Sequence, residues 1–291
     1  MTASPAEVQV TVSERPELRL IAAVAKKEIA DAVRSKWFWL WAGAFAVLAA
    51  ILASSALPGS QVAGFGSFGR TAASLVALAQ IIIPLMGLTL GAYSLAGQRE
   101  TGALRFLLSH PISRTEAFWG TYIGLATALF ATVFGGFGVA GVIAAAQGGG
   151  ADAASFVRIA ILSWLLAIAM LGIGLLISTF TASGSSAIGT SIFVWLGLVF
   201  LGDLGVMGTA VATKMPVSAL FISAVFNPVE AFRLAALTAF DGSLDVLGPA
   251  GQYAVDSFGE SLDVLLIAVV AVWVVAPVSV AWWRFSKGGD V

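Results

Sequence analysis

The sequence predicts an all-α polytopic membrane protein, and three observations carry that prediction. Hydrophobic residues make up 59% of the 291 residues and charged residues only 11%, against roughly 25% charged in a soluble domain whose surface must meet water. Mean hydropathy is +0.96, so lipid is expected to solvate much of the chain. Six apolar stretches are long enough to cross a bilayer, at 37–57, 71–96, 117–146, 156–180, 187–206 and 262–283, a crossing helix needing roughly 20 residues. They read as helices because an open sheet edge in lipid would leave backbone groups unpaired. The third is long enough to tilt or to project beyond the bilayer.

The chain divides into a tail at 1–17, an amphipathic segment at 18–36, a six-helix membrane domain at 37–283 and a tail at 284–291. The first 36 residues are too polar to hold a signal-peptide core, so the run beginning at Trp37 is expected to act as an uncleaved anchor. Orientation follows the cations. Arg15, Arg19, Lys26, Lys27, Arg34, Lys36, Arg99, Arg105, Arg114, Arg284 and Lys287 fall on one side, and Arg70, Arg158, Lys214 and Arg233 on the other. Both termini are therefore expected to be cytoplasmic in a cell-membrane protein. The long loop 208–261, with Asp241, Asp245, Asp256 and Glu260, is expected to face outward.

Three non-spanning segments hold most of the information. In 18–33, Leu18, Ile21, Ala25, Ile29 and Ala32 recur at helical spacing with the cations away from that stripe. This predicts an interfacial amphipathic helix; a plain basic leader is the alternative. In 97–120, Leu104, Leu107 and Leu108 mark one face of a short helix flanked by Arg99, Glu100 and Arg105. His110-Pro111 breaks it, because proline disfavours helical geometry in the residue before it. Ser113 and Glu116 then have the spacing of a capping box that would start the third span. The outcome is either a rigid lever for another protein to push or a structured loop. In the outer loop, 216–226 and 229–240 are apolar but half the crossing length, as in re-entrant or interfacial segments. Between them Asn227 reads as a cap, Pro228 as the first helical position, and Glu230 with Arg233 as a pair one turn apart.

Net charge is −1, so no bulk field points to nucleic acid. The absence of cysteine excludes disulfides and thiolate chemistry. His110 stands alone as a histidine, without the partners that catalysis or metal binding would require. No phosphate-binding G-x-x-x-x-G-K-[ST] loop occurs, so ATP hydrolysis would need a separate polypeptide. The expected spans hold almost no ionisable groups, which disfavours ion-coupled transport. Gln80 and Pro84 are the nearest thing to a polar feature and a kink. Met86, Met170, Met207 and Met215 lack paired spacing for a soft metal. Neither catalysis nor a metal site on this chain is expected. The glycine pairs 87/91 and 120/124, and the group 135, 136, 138 and 141, offer smooth faces for packing within the subunit or at a dimer seam. An ion-coupled transporter and a membrane scaffold stand as the competing function classes.

The loop residues Glu100, Gly102, Ala103, Leu104, Leu107, Leu108, Ser109, Pro111, Ile112, Ser113 and Arg114 resemble the E-x-G-[TA]-L-x-x-L-L-S-x-P-[IV]-[ST]-R pattern of ABC-2-type transporter permeases. The resemblance extends over 18–287 through the amphipathic leader, the spans and the outer helix pair. It implies a permease that performs no chemistry, binds no cofactor itself, and pairs with a second copy. Two ATPase subunits carrying ATP and Mg would dock on the cytoplasmic loops. The coupling residues would be Arg99, Glu100, Thr101, Gly102, Leu104, Arg105, Leu108, Ser109, His110 and Pro111, with 181–186 as a second contact. Within the family, the leader, "LSHPISR" and the outer "FNPVEAFRLAAL" look most like the branch that serves maturation of the copper enzyme nitrous oxide reductase. That branch implies an extracytoplasmic NosD-like partner, for which Asn227, Pro228, Glu230 and Arg233 are the candidate contacts. A permease for a drug, lipid or natural product is the alternative.

Overall fold

The computed structural model describes residues 17–55, 67–146, 153–200, 216–238, 253 and 256–288. Ten helices are described: α1 (Leu18–Arg34), α2 (Lys36–Ser55), α3 (Ser67–Glu100), α4 (Ala103–Leu108), α5 (Arg114–Ala146), α6 (Ala153–Phe180), α7 (Gly184–Leu196), α8 (Val217–Val225), α9 (Pro228–Leu237) and α10 (Leu262–Lys287). A π-helical turn, 197–200, continues α7.

Among the described residues, four helices are long and apolar enough to cross a membrane: Ala73–Glu100, Arg114–Ala146, Ala154–Phe180 and Leu262–Lys287. The other two expected spans are only partly visible. The α1 and α2 helices pass the test together, bent by 67°. The α7 helix with its π turn gives an apolar helix at Gly184–Phe200; residues 201–206 of the expected fifth span lie outside the described residues. Six crossings were expected, and four, or five if the bent α1–α2 pair is one span, are seen among the described residues.

The α6 helix is the hub, with 72% of its membrane window buried inside the protein against 28% for α10. Glycine explains why α3 can lie so close to it. A Cβ on Gly87 would stand 2.6 Å from the Ala167 carbonyl oxygen, and one on Gly91 2.4 Å from that of Leu171. From the other side, a Cβ on Gly174 would meet the Leu88 carbonyl oxygen at 2.4 Å. Leu88, Ala92, Leu171 and Leu175 are buried along this seam.

Gly120 and Gly124 receive α1 in the same way, against Val24, Ala25 and Glu28. The buried face of α1 is therefore Val24, Ala25, Glu28 and Ala32. It differs from the predicted stripe, since Leu18 stays 81% exposed while a carboxylate goes inside. The two glycines of α5 set which face of α1 turns inward, and the Leu18 side chain falls outside that face. Gly136 meets the Phe45 ring and Gly141 the Phe156 ring, whereas Gly135 and Gly138 face open space. Most of the glycine signal thus serves packing within the subunit.

Candidate functional site

The elbow between α3 and α5 is built by a reversal at the end of α3. Gly102 adopts φ +77°, a left-handed backbone that glycine takes without a Cβ clash. Residue 102 then serves as the N-cap of α4. Leu104 is fully buried while Leu107 and Leu108 are half-buried, so the predicted apolar face is the face that docks. Arg105, Ser109, His110 and Pro111 are exposed, and so is Thr101, whose hydroxyl donates to the Gly97 carbonyl at 2.9 Å. His110 Nδ1 lies 3.0 Å from the Phe106 carbonyl oxygen, and its ring stands edge-on to the Phe106 ring at 4.9 Å.

The restart of the chain follows the predicted capping box. Ser113 N–H and Oγ–H both donate to Glu116 Oε2 at 2.7 Å, and Glu116 N–H returns a bond to Ser113 Oγ at 3.2 Å. The second carboxylate oxygen accepts from Glu17 N–H at 2.7 Å, so one buried glutamate steadies the starts of both α5 and α1. Sequence spacing exposes the first bond but not the second, which spans 99 positions.

The elbow is also tied to the turn between α6 and α7. Arg99 Nη1 donates to the Thr181 carbonyl at 2.7 Å and to the Ser178 carbonyl at 3.2 Å. These are carbonyls at the end of α6, where helices leave acceptors unpaired and cations are favoured. Glu100 Oε2 accepts from Gly184 N–H at 2.8 Å, at the start of α7, where the complementary argument favours an anion. Two consecutive side chains of opposite charge thus grip opposite helix ends.

Gln98 Nε2 donates to the buried Glu28 carboxylate of α1 at 2.8 Å, and Lys27 lies 3.1 Å from the same carboxylate. Arg114 Nη1 donates to the Phe285 and Gly288 carbonyls at the end of α10. The ends of α1, α6, α7 and α10 therefore all reach the elbow or its flanks. Between Arg105, Leu108, Ser109, Ile112 and Arg114 lies an open hollow of about 390 Å³.

One residue escapes the reading of the sequence. Phe106 is 71% exposed on the outer side of α4, off the leucine face and at the far end of a short helix. An aromatic ring pointing away from its own protein is the signal, and only the placement of α4 reveals it.

On the opposite end, Asn227 caps α9 as predicted, its Oδ1 accepting from Val229 N–H at 3.0 Å. Pro228 occupies the first position. Glu230 pairs with Arg233 at 3.2 Å. Pro228 and Glu230 are buried and Asn227 is partly so, leaving Arg233 the more accessible member of that set.

A family of proteins described as ABC-2 family transporter proteins matches residues 22–289. The chain belongs to that family. A probable ABC transporter permease protein NosY from Stutzerimonas stutzeri is 32% identical over 231 residues, covering 77% of this chain and 84% of that protein. The NosY of Pseudomonas aeruginosa is 30% identical over 226 residues, covering 76% and 82%. This ABC-2 permease is thus a multi-pass membrane subunit of an ABC transporter, similar to NosY, and an ATPase partner is implied. The family match takes in α1 and the elbow as well as the spans.

Proposed function

We propose that the permease couples ATP hydrolysis on a docked ATPase to movement across the membrane by using the elbow as its handle. The observation that carries this is the paired grip of Arg99 and Glu100 on the α6–α7 turn. It makes α4 and residues 181–186 a single mechanical unit. Arg105 and Phe106 project from that unit, where they would meet the ATPase. ATP and Mg are held by the ATPase, and this chain contributes no chemistry. The elbow and both termini lie in the cytoplasm of a cell-membrane complex containing a second permease copy.

Similarity to NosY supports assignment to the branch that handles copper or sulfur for nitrous oxide reductase maturation. In that reading a NosD-like protein meets the outer surface around Phe226 and Arg233, where Phe226 is 73% exposed. A second reading, a permease for a lipid or other apolar molecule, draws on a groove of about 590 Å³ between α6 and α10. Ala154, Val157, Ile161, Leu162, Leu165 and Ile267 line it together with Arg158.

The test is purification through a tag on the permease from cells that co-express an ABC ATPase subunit with it. The ATPase should co-purify and hydrolyse ATP. The double charge reversal Arg99→Glu and Arg105→Glu should abolish the stimulated hydrolysis. Unchanged stimulation in that variant would refute the handle.

A further inference from the structure

Hydrogen bonds on α7 are placed at three levels, and no two of them serve the same purpose locally. At the cytoplasmic end, Gly184 N–H donates to Glu100 of the elbow at 2.8 Å. Further along, Trp195 Nε1–H donates to the Ile81 carbonyl of α3 at 3.0 Å. That carbonyl lies in the turn before Pro84, which lacks the N–H that would pair with the Gln80 carbonyl one residue earlier. A donor from a neighbouring helix is the usual means of satisfying a turn loosened by proline in a membrane.

At the far end the chain winds into the π turn 197–200. There the Leu198 carbonyl accepts from Asn227 Nδ2–H at 2.6 Å. Asn227 Oδ1 is already committed to capping α9 through Val229 N–H, so its amide must point its donor at α7. One side chain therefore starts the outer helix and fastens it to α7.

We infer that α7 acts as a strut between the cytoplasmic elbow and the outer helix pair, with Glu100, Trp195 and Asn227 as its positioning residues. Glu100 fixes the strut to the elbow, Trp195 holds it to α3 beside the proline, and Asn227 passes its displacement to α9. Their role is to make the two faces of the membrane move together. This rests on the ATP-driven reading above and adds to it the residues through which the outer face responds.

The absence of cysteine makes the test direct. Phe226→Cys, beside Asn227 and exposed, is labelled by a maleimide in the purified permease–ATPase complex. The labelling rate is compared between the nucleotide-free and ATP–vanadate-trapped states. The two rates should differ in the otherwise native chain. Asn227→Asp keeps an oxygen for the cap and has no donor for Leu198; Asn227→Ser also keeps the cap, and its hydroxyl, one atom shorter than the amide, no longer reaches the Leu198 carbonyl. Each should bring the ratio of rates close to one, a single hydrogen bond being worth about fivefold in a two-state equilibrium.

Glu100→Gln, which retains an acceptor for Gly184 N–H, should keep most of the response. Glu100→Ala should lose it. A native response in both Asn227 variants, with the ATPase still bound, would overturn the strut. So would equal rates in the otherwise native chain while ATP is being hydrolysed, and either result would leave the permease reading standing. Failure of any ATPase to bind the native chain would instead remove the reading on which the strut rests.

Discussion

Replacing Gly91 with alanine adds one methyl group to the close-packed seam between α3 and α6. The new Cβ would lie 2.4 Å from the Leu171 carbonyl oxygen, 2.9 Å from Leu175 N and 3.1 Å from Gly174 C. All three are backbone atoms, so no side chain can rotate away. A carbon–oxygen contact settles near 3.3 Å at its closest, so α3 and α6 must separate by about 0.9 Å. A gap of about that size forfeits between a quarter and a half of each dispersion contact it opens. Leu88, Ala92, Leu171 and Leu175 are buried beside the glycines and would all feel it. The expected cost is about 2–3 kcal/mol, at the upper end of overpacking penalties. For a protein of this size that is a drop of about 4–10 °C in melting temperature.

Nine tryptophans make intrinsic fluorescence during heating in detergent a suitable assay. Gly135→Ala is the control, since nothing lies within 4 Å of its Cβ and alanine is the better helix former by about 1 kcal/mol. It should melt at or above the native temperature. If Gly91→Ala melts with the native protein, the α3–α6 seam is not packed backbone to backbone and the reasoning fails.

Glu116→Ala removes the acceptor of Ser113 N–H, Ser113 Oγ–H and Glu17 N–H. It should cost about 1–3 kcal/mol and speed tryptic cleavage near Arg34 and Lys36, because α1 loses its anchor; native cleavage rates would contradict this. Phe106→Ala should leave the melting temperature within about 1 °C, as an exposed ring packs on little. The same variant should recover less ATPase in the tagged purification, and full recovery would show that the ring is not a contact. Asp263→Asn breaks the ion pair with Arg158 at 2.9 Å, whose side chains are 42% and 34% exposed. Screening limits that loss to less than about 1 kcal/mol, so a large destabilisation, read in the same melting assay, would mean the pair is shielded from water.

How far the elbow was legible in the sequence depended on distance along the chain. The Ser113–Glu116 box and the Asn227–Pro228 start are local, with partners two or three residues away, and helix geometry alone makes them readable. The break at His110-Pro111 and the leucine face of α4 are readable for the same reason. The grips of Arg99 on Thr181 and Glu100 on Gly184 span 82 and 84 positions. No periodicity encodes them, because they depend on where α6 ends relative to α3. The amphipathic leader lies between these cases. Its helix was expected, but its buried face turned on Gly120 and Gly124 of a distant helix, which brought Glu28 inside and left Leu18 out.

Composition by itself determined the solvent. A chain with 59% hydrophobic and 11% charged residues takes lipid as its solvent, and its continuous apolar runs of about 20 residues fit helices that satisfy their own backbone rather than the short alternating strands of a barrel. Span positions and cation placement followed from that one-dimensional demand. The tertiary structure decided what the small and polar residues are for. Whether a glycine is a seam or a bare surface, and whether a carboxylate caps one helix or joins two, is settled by which backbones approach within van der Waals contact. That is a property of helix packing in three dimensions: the spacing of the glycines marks a smooth face, but not which helix will cover it.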